Sequence, residues 1–448
     1  VALFGLGVGD IAEAQALGLS AALGLAFGGT VLLLTDRPKQ KASVRDALAV
    51  TLLIWPLCAM LASAPFMSAQ AGSTPLSGVF EAMSCLTTTG YSLYDPAVFG
   101  GLSDTLLLWR AVLHIFGAII TLTIVASVFA GLNLGGPGIH RTRLFTVPET
   151  SFFDGLPKVL RMSSALVIMG CVVVTAALIA AGTLPRDALA GAVSTVTTGL
   201  VDPAGRYASV IWSPPQAMIL SAGLVFGVFG LLWHEWHLSP RAGLTAVRDP
   251  EALTFAGAFI LVSGLVFLSG VPIIDAAGWS LSSIATSGLA LSDVRTLDRI
   301  PLVLVLFPVL IGGSALSAAG GLKLARLALL SRRVGMEFRQ LGYRQSVHTL
   351  SFRARRQSEM TVMGVWVYLV GYIVASALGV LVASVAGLTF SDALLLTIGS
   401  VSNAGHVLDR ILGDMTGALQ LFSLLGMVLG RLEVIALIPV LSADFWRR

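Results

Sequence analysis

Four short stretches of this 448-residue chain carry residues that could strip a metal ion of its water. They read Thr87-Thr88-Thr89-Gly90-Tyr91, Val196-Thr197-Thr198-Gly199-Leu200, Ala285-Thr286-Ser287-Gly288-Leu289 and Ser402-Asn403-Ala404-Gly405-His406. Glycine permits backbone conformations that turn successive carbonyls to one side. A ring of such carbonyls can replace the hydration shell of a bare cation. The hydroxyl residue two positions before the glycine (Thr88, Thr197, Thr286) can add an oxygen or brace the turn, and the fourth copy has Asn403 there. One Thr-x-Gly by itself is better explained as a loop or a helix C-cap. Four, each closing a short apolar stretch and preceding a longer one, are not.

The elements that must position these turns follow from hydropathy. The short stretches 77–88, 186–197, 277–287 and 390–401 suit re-entrant or interfacial segments, because a full crossing needs roughly 20 apolar residues. Longer apolar runs are expected to cross at 14–35, 46–68, 105–132, 160–183, 212–233, 252–270, 300–330, 361–387 and 416–442. The four turn glycines recur at spacings of 109, 89 and 117 residues. A period of that kind decides an architecture. The expected fold is an all-α membrane protein with four copies of one unit, outer helix, short re-entrant helix, turn and inner helix. Each copy crosses twice, so all four point the same way and can close around a pseudo-fourfold axis.

Composition agrees and excludes other classes. Hydrophobic residues are 56% of the chain and charged ones 12%, against the roughly 25% charged of a soluble globule. Mean hydropathy is +0.88. Long apolar runs in place of alternating ten-residue segments argue against a β-barrel. A soluble enzyme, a disordered chain and a nucleic-acid-binding domain are excluded. Cys58, Cys85 and Cys171 are scattered in apolar sequence and suggest neither a disulfide framework nor a metal cluster. No basic segment with a cleavage site marks a removable signal peptide. Val1 in place of Met implies a missing N-terminal piece, with 1–10 as the stump of a tenth span.

These features divide the chain into extra N-terminal helices at 1–42, then copies at 43–138, 139–240, 241–345 (with a broken inner helix) and 346–448. The linkers between copies hold 21 of the 28 basic residues, so the linker face is cytoplasmic by the positive-inside rule. Six basic residues, Arg110 among them, and ten aspartates fall on the opposite, external face, a balance of −4 that would concentrate cations. Ordinary solvated loops are the alternative.

Inside the membrane two features stand out. Gly312-Gly313 and Gly320-Gly321 bracket Ser314 to Ala319 and make poor helix sequence. Non-helical backbone at membrane depth is tolerated only against protein or a cavity, so 311–321 reads as a flexible loop. Close helix packing through small residues is the alternative. Arg431 sits mid-span, where an arginine left in lipid costs from about 2.5 to over 10 kcal/mol. It must face the pore or a partner, the candidates being the loop carbonyls, Glu433 or Glu81. His234-Glu235-Trp236-His237 superficially suggests metal ligands, but beside Trp233 at a span end it reads as an interfacial belt. Arg353, Arg355 and Arg356 could meet anionic lipid or a regulatory partner.

Particular motifs resemble a known group, the Trk/Ktr/HKT superfamily of potassium transporters, and its bacterial TrkH branch most closely. They are Ser43-Val44-Arg45-Asp46, Phe80-Glu81-Ala82-Met83-Ser84 leading into Thr87-Thr88-Thr89-Gly90, Ile311-Gly312-Gly313 through Ala319-Gly320-Gly321-Leu322-Lys323, and Gly430-Arg431-Leu432-Glu433. The resemblance implies potassium as the transported ion at the filter carbonyls, with no covalently bound cofactor. It implies a selectivity filter built from Thr88, Thr89, Gly90 and Tyr91, from Thr197, Thr198, Gly199 and Leu200, from Thr286, Ser287, Gly288 and Leu289, and from Asn403, Ala404, Gly405 and His406. It further implies a gate comprising Gly312, Gly313, Gly320, Gly321, Lys323 and Arg431. Membrane lipid surroundings, a homodimer, a cytosolic nucleotide-binding regulatory ring and the cytoplasmic membrane of a prokaryote come with it. Glycine at all four filter positions goes with potassium in that superfamily. His406, where relatives often have proline, could make transport pH-sensitive. His114-Ile115-Phe116-Gly117 stands where they commonly show Gln-Trp-Ile-Gly. A sodium-permeable or sodium-coupled transporter is the near alternative. An intramembrane enzyme is the distant one, unsupported by any Ser–His–Asp or His–Glu–His spacing.

Overall fold

The computed structural model describes residues 1–35, 44–68, 74–94, 102–129, 155–202, 212–237, 246–291, 300–342, 351–352, 355–356, 359–411 and 415–432. Helices α1 (Ala2–Val8) and α2 (Ile11–Leu34) come first and pack on each other. Thr105 Oγ1 donates to Asp10 Oδ2 at 2.6 Å and ties their junction to the helix bearing the first inner span.

Four groups of helices then follow one plan. The first has outer helix α3 (Val44–Ala62), a turn of helix α4 (Ala64–Ser68), short helix α5 (Pro75–Leu86) and inner helix α6 (Asp104–Ile124), which runs on into a wider π turn at Val125–Phe129. The second has α7 (Leu156–Ala180), α8 (Pro185–Val196), α9 (Pro214–Phe229) and the stub α10 (Leu232–His237). The third has α11 (Pro250–Leu268), α12 (Ile273–Ile284) and an inner strut in two pieces, α13 (Leu302–Ile311) and α14 (Leu324–Gly342). The fourth has α15 (Glu359–Val385), α16 (Phe390–Val401), the single turn α17 (Gly405–Leu408) and α18 (Gly417–Leu432).

In every group the short helix packs against its own outer and inner helices. It also packs against the inner helix of the group before it: α8 on α6, α12 on α9, α16 on α13, and α5 on α18. The last contact joins the fourth group to the first, so the arrangement closes on itself. The short helices start cleanly for local reasons. Thr74 and Ser77 form a reciprocal capping box ahead of Pro75, and Thr389 accepts from Asp392 N at 3.2 Å.

Among the described residues, six segments are long and apolar enough to cross a membrane: Ile11–Leu34, Asp46–Ser68, Asp104–Ser127, Leu156–Ala180, Pro250–Leu268 and Thr361–Val385. They expose apolar side chains outward, as at Leu33 (89%) and Val385 (82%), where water would penalise them and lipid would not. Two expected spans turn out otherwise, and two others extend beyond the described residues. The run 212–233 is only the 16-residue α9, ended by Gly230 at φ +50. The run 300–330 is broken at Gly312. Of 416–442, helix α18 reaches Leu432, and the rest lies outside the described residues, as do 130–132 of the run 105–132.

A two-residue antiparallel ladder pairs Ser351–Phe352 with Arg355–Arg356 before the fourth group. There the Arg332 guanidinium stands 5.9 Å from the Phe352 ring centre. Trp233 and Trp236 belong to a cluster with Phe229, in which the Phe229 and Trp236 rings lie 5.0 Å apart. With Trp236 only 6% exposed, this is interior packing and not a belt at a water interface. The three cysteines are free thiols, and Cys85 and Cys171 are buried.

Candidate functional site

The four turns meet. Each short helix ends in a C-cap residue (Thr87, Thr197, Ala285, Ser402) and passes into a residue with left-handed backbone: Thr88 at φ 47, Thr198 at φ 58, Thr286 at φ 56 and Asn403 at φ 50. A β-branched residue in that region is strained by of order 1–3 kcal/mol, and the surroundings must impose it. Three buried threonines so held, at equivalent places, are a structural signature that one local sequence does not reveal.

Contacts then run from turn to turn around the whole set. Gly405 N donates to Thr89 O at 2.9 Å, joining the fourth turn to the first. Asn403 Nδ2 adds a bond to Thr89 Oγ1 at 3.2 Å and one to Met427 O at 2.9 Å. The first turn meets the second where a Cβ on Gly90 would fall 2.6 Å from Leu200 O. Ser287 Oγ donates to Ser194 O at 2.8 Å, joining the third turn to the last turn of the second short helix. Gly288, at φ +72, lies directly against the His406 side chain, joining third to fourth. The short helices therefore aim their C-terminal ends at one region, and the partial negative charge of those ends favours a cation.

The sequence spacing misjudges one register. In the second copy the left-handed residue is Thr198, one before the glycine, not Thr197, which is an ordinary αR cap at φ −88. Counted from the left-handed residue, Leu200 occupies the place of Gly90, Gly288 and Gly405. Equivalent residue pairs meet in this alignment: Ser84 Oγ donates to Tyr91 O at 2.6 Å, and its counterpart Ser194 Oγ accepts from Val201 N at 3.0 Å. The first turn also departs from a simple ring of inward carbonyls. Thr87 O is bonded by Arg431, Thr89 O by Gly405 N, and Gly90 O lies 3.5 Å from Arg110 Nη2. A carbonyl has two lone pairs, so these oxygens can still face an ion.

Below the turns lies the broken inner strut. Gly312, at φ +71, ends α13, and the chain returns beside itself through Leu322 N to Leu310 O (2.9 Å) and Leu324 N to Gly313 O (2.9 Å). The paired glycines are needed at this neck, because a side chain on Gly312 would overlap Gly320 O and one on Gly320 would overlap Ser402 O. The expected loop 311–321 is thus a buried excursion, with irregular backbone from Gly312 to Lys323.

Its polar groups are satisfied by other parts of the fold, as buried backbone requires. Ser314 N donates to Val228 O at 2.9 Å, and Leu231 N donates to Leu316 O at 2.9 Å. Ala315 N donates to Glu251 Oε2 at 2.9 Å, and Gly320 N to Thr286 Oγ1 at 3.1 Å. Lys323, left-handed at φ 74, turns its ammonium back onto Ser317 O (3.1 Å) and Ala319 O. Arg431 donates to Ala318 O, to Thr87 O and, at 2.5 Å, to Thr88 Oγ1. Of the partners considered for Arg431, the loop carbonyls are the ones found. Glu81 is bonded to Arg110 instead, and Glu433 lies outside the described residues.

Several of these residues escape the sequence reading. Arg110, counted among external charges, is fully buried and paired with Glu81. Arg326, counted as a linker charge, is 2% exposed with its guanidinium 3.9 Å from the Tyr368 ring centre. Glu251 has no motif around it. Gly117 and Gly430 let the inner helices touch the ends of the short helices, since a Cβ on either would overlap Leu86 O or Val401 O. Tyr94, beyond the first turn, donates to Phe66 O at 2.5 Å, and burial pushes its phenol above the usual range, so it stays neutral.

The closed ring of helices and the joined turns define a multi-pass membrane protein built as the Trk transporters are. The chain covers 98% of the crystal structure of the potassium transporter TrkH from Vibrio parahaemolyticus, itself 98% covered, with a TM-score of 0.80 at 20% identity. No protein-family model matches. Among curated relatives, the Trk system potassium uptake protein TrkH of Halomonas elongata is 26% identical over 95% of this chain and 92% of its own length. TrkH of Escherichia coli K12 is 23% identical over 94% and 90%, and TrkG of the same organism 22% over 94% and 89%. Over nearly its whole length the chain is thus similar to potassium uptake proteins of the Trk system, and it shares the fold of the solved TrkH.

Proposed function

We propose that this chain is a potassium uptake protein of a bacterial cytoplasmic membrane, conducting the ion inward down its electrochemical gradient. The turns at Thr88–Tyr91, Thr197–Val201, Thr286–Leu289 and Asn403–His406 form the filter, with the oxygens of the left-handed residues and their neighbours taking the place of ion-bound water. The loop from Gly312 to Lys323, clamped by Arg431, is the gate. The division into helices at 1–42 and copies at 43–138, 139–240, 241–345 and 346–448 is the unit plan behind it. What supports this reading is the closed circuit of contacts among the four turns, together with curated relatives named as potassium uptake proteins.

Orientation follows the positive-inside rule, with the linker face in the cytoplasm and the turns outside. A homodimer embedded in lipid and a cytosolic nucleotide-binding ring, meeting the linker face, complete the assembly. His406 against Gly288 gives the outer filter a titratable neighbour. Purified protein in potassium-loaded liposomes tests the reading directly. Potassium flux that rubidium shares and sodium does not match is expected. Equal sodium flux would make this a general monovalent cation pathway, and no flux of either would overturn the reading.

A further inference from the structure

The strongest unassigned feature is the buried ion pair on the outer side of the first turn. Arg110, on α6, is 0% exposed and Glu81, on α5, is 2% exposed. The guanidinium spreads over three acceptors: Nε donates to Val201 O at 2.8 Å, Nη1 to Glu81 Oε2, and Nη2 lies 3.5 Å from Gly90 O. Val201 and Gly90 belong to different turns. On its far side Glu81 Oε1 accepts from Ser92 Oγ at 2.9 Å and Leu93 N at 2.5 Å, holding the segment that leaves Gly90.

We propose that Arg110 and Glu81 are a positioning pair that sets the spacing between the first and second turns and so tunes discrimination between potassium and sodium. This deepens the filter reading above and rests on it. A guanidinium is a planar fork with fixed donor directions, so the separation of the two carbonyls it bridges follows its own geometry. Glu81 cancels the charge locally, so the brace does not repel the permeating cation. The carboxylate also fixes the rotation of the fork. A buried ion pair is weak evidence for stability, since apolar replacements are often neutral or better. Bonds to two carbonyls from separate turns are a better reason for placing one here.

The pair is particular to one copy. Counted back from the left-handed residues, the counterparts of Glu81 are Gly191, Trp279 and Leu396, none of them charged. The junction between the first and second turns is also the one where Leu200 replaces glycine. The junction that lacks glycine on one side is therefore the one the Arg110 guanidinium bridges. Ion preference depends on the number, field and separation of coordinating oxygens. A loosened junction should admit the smaller ion better while leaving a conducting path.

Proteoliposome flux of potassium and sodium, measured on the same preparation, tests this. Wild-type protein that carries no potassium would defeat the filter reading and this proposal with it, whereas a wild-type ratio in the variants below defeats this proposal alone. Arg110→Lys keeps the charge and reaches Glu81 but lacks the fork, so the potassium-to-sodium ratio should drop about fivefold or more with potassium still crossing. The double variant Glu81→Gln with Arg110→Gln leaves no orphaned charge and should bring the ratio close to one. Ser92→Ala, which removes one bond from Glu81 and the hydroxyl that accepts from Tyr94 N at 3.2 Å, should lower it about twofold. Each variant is checked for a single peak in size-exclusion chromatography and for its thermal unfolding midpoint. A wild-type ratio in folded Arg110→Lys would overturn the proposal, and so would a wild-type ratio in the folded double variant. If the double variant does not fold, Arg110→Lys and Ser92→Ala decide it.

Discussion

Arg431 and Ala318 lie 113 residues apart in sequence, and the guanidinium of one donates to the carbonyl of the other. The same guanidinium holds Thr87 O and Thr88 Oγ1 in the first turn. One buried cation thus staples the loop of the third copy to the turn of the first. Swinging the loop aside must break the bond to Ala318. Hydrogen bonds to a charged group are worth about 1.5–3 kcal/mol, so Arg431→Ala should raise potassium flux about tenfold or more. Flux unchanged in a folded variant would remove Arg431 from gating.

Glu251 holds the opposite side of that loop through Ala315 N. It sits in the first turn of α11, and Asp249 Oδ1 accepts from its backbone N at 2.9 Å. On the proposed gate, Glu251→Ala should therefore also raise flux, by about tenfold or more, for a charged acceptor lost from the loop. Under the proposed gate both residues bias one loop, so the double variant with Arg431→Ala should fall short of the product of the single effects once that loop is mostly open. A double-mutant cycle on flux reads this directly. Fully multiplicative effects at high flux would mean that the two act on separate barriers.

How much of this was legible beforehand depends on the range of the signal. Span hydropathy, the four glycine turns and the break at Gly312 are local, because a helix must be apolar over about 20 residues and glycine pairs spoil helices wherever they stand. Arg431 was found because a charge in apolar sequence demands a partner, but its actual partners lie 113 and 344 residues away. Arg110 failed by the same logic: placed near a span end, it passed for a solvated loop charge. The register of the second turn was missed because Thr197 and Thr198 are chemically identical, and only backbone dihedrals separate them. Gly117 and Gly430 look like any small helix residue until the neighbouring carbonyl is in place.

The register of the second turn has its own test. Thr198 adopts φ 58 whereas Thr197 caps the helix at φ −88, with its hydroxyl bonded to Val193 O at 2.7 Å. Thr198→Gly relieves a left-handed β-branched residue and should leave the thermal midpoint unchanged or raise it. Thr197→Gly gains nothing of that kind and loses the bond to Val193, so it should lower stability by about 1 kcal/mol. Thermal unfolding of the two variants in one detergent compares them. If Thr197→Gly is the tolerated change, the glycine-minus-two register holds in all four copies.

The turn glycines separate backbone strain from close packing. Gly182, beyond α7, has φ +84 with nothing within 4 Å of where a Cβ would stand. Gly288 has φ +72, and a Cβ there would run into the His406 side chain. Both alanine variants carry the same left-handed penalty, roughly 1–2 kcal/mol. Only Gly288→Ala must also push the third turn away from the fourth. Gly182→Ala should therefore lower the unfolding midpoint modestly and keep potassium flux and its preference over sodium. Gly288→Ala should cut potassium flux by about tenfold or erase the preference, because oxygen positions in a filter tolerate little displacement. Measuring both properties on both variants matters, since a loss of flux that merely tracked stability would appear equally in each. Should Gly288→Ala transport and discriminate as Gly182→Ala does, the third turn takes no part in selecting the ion.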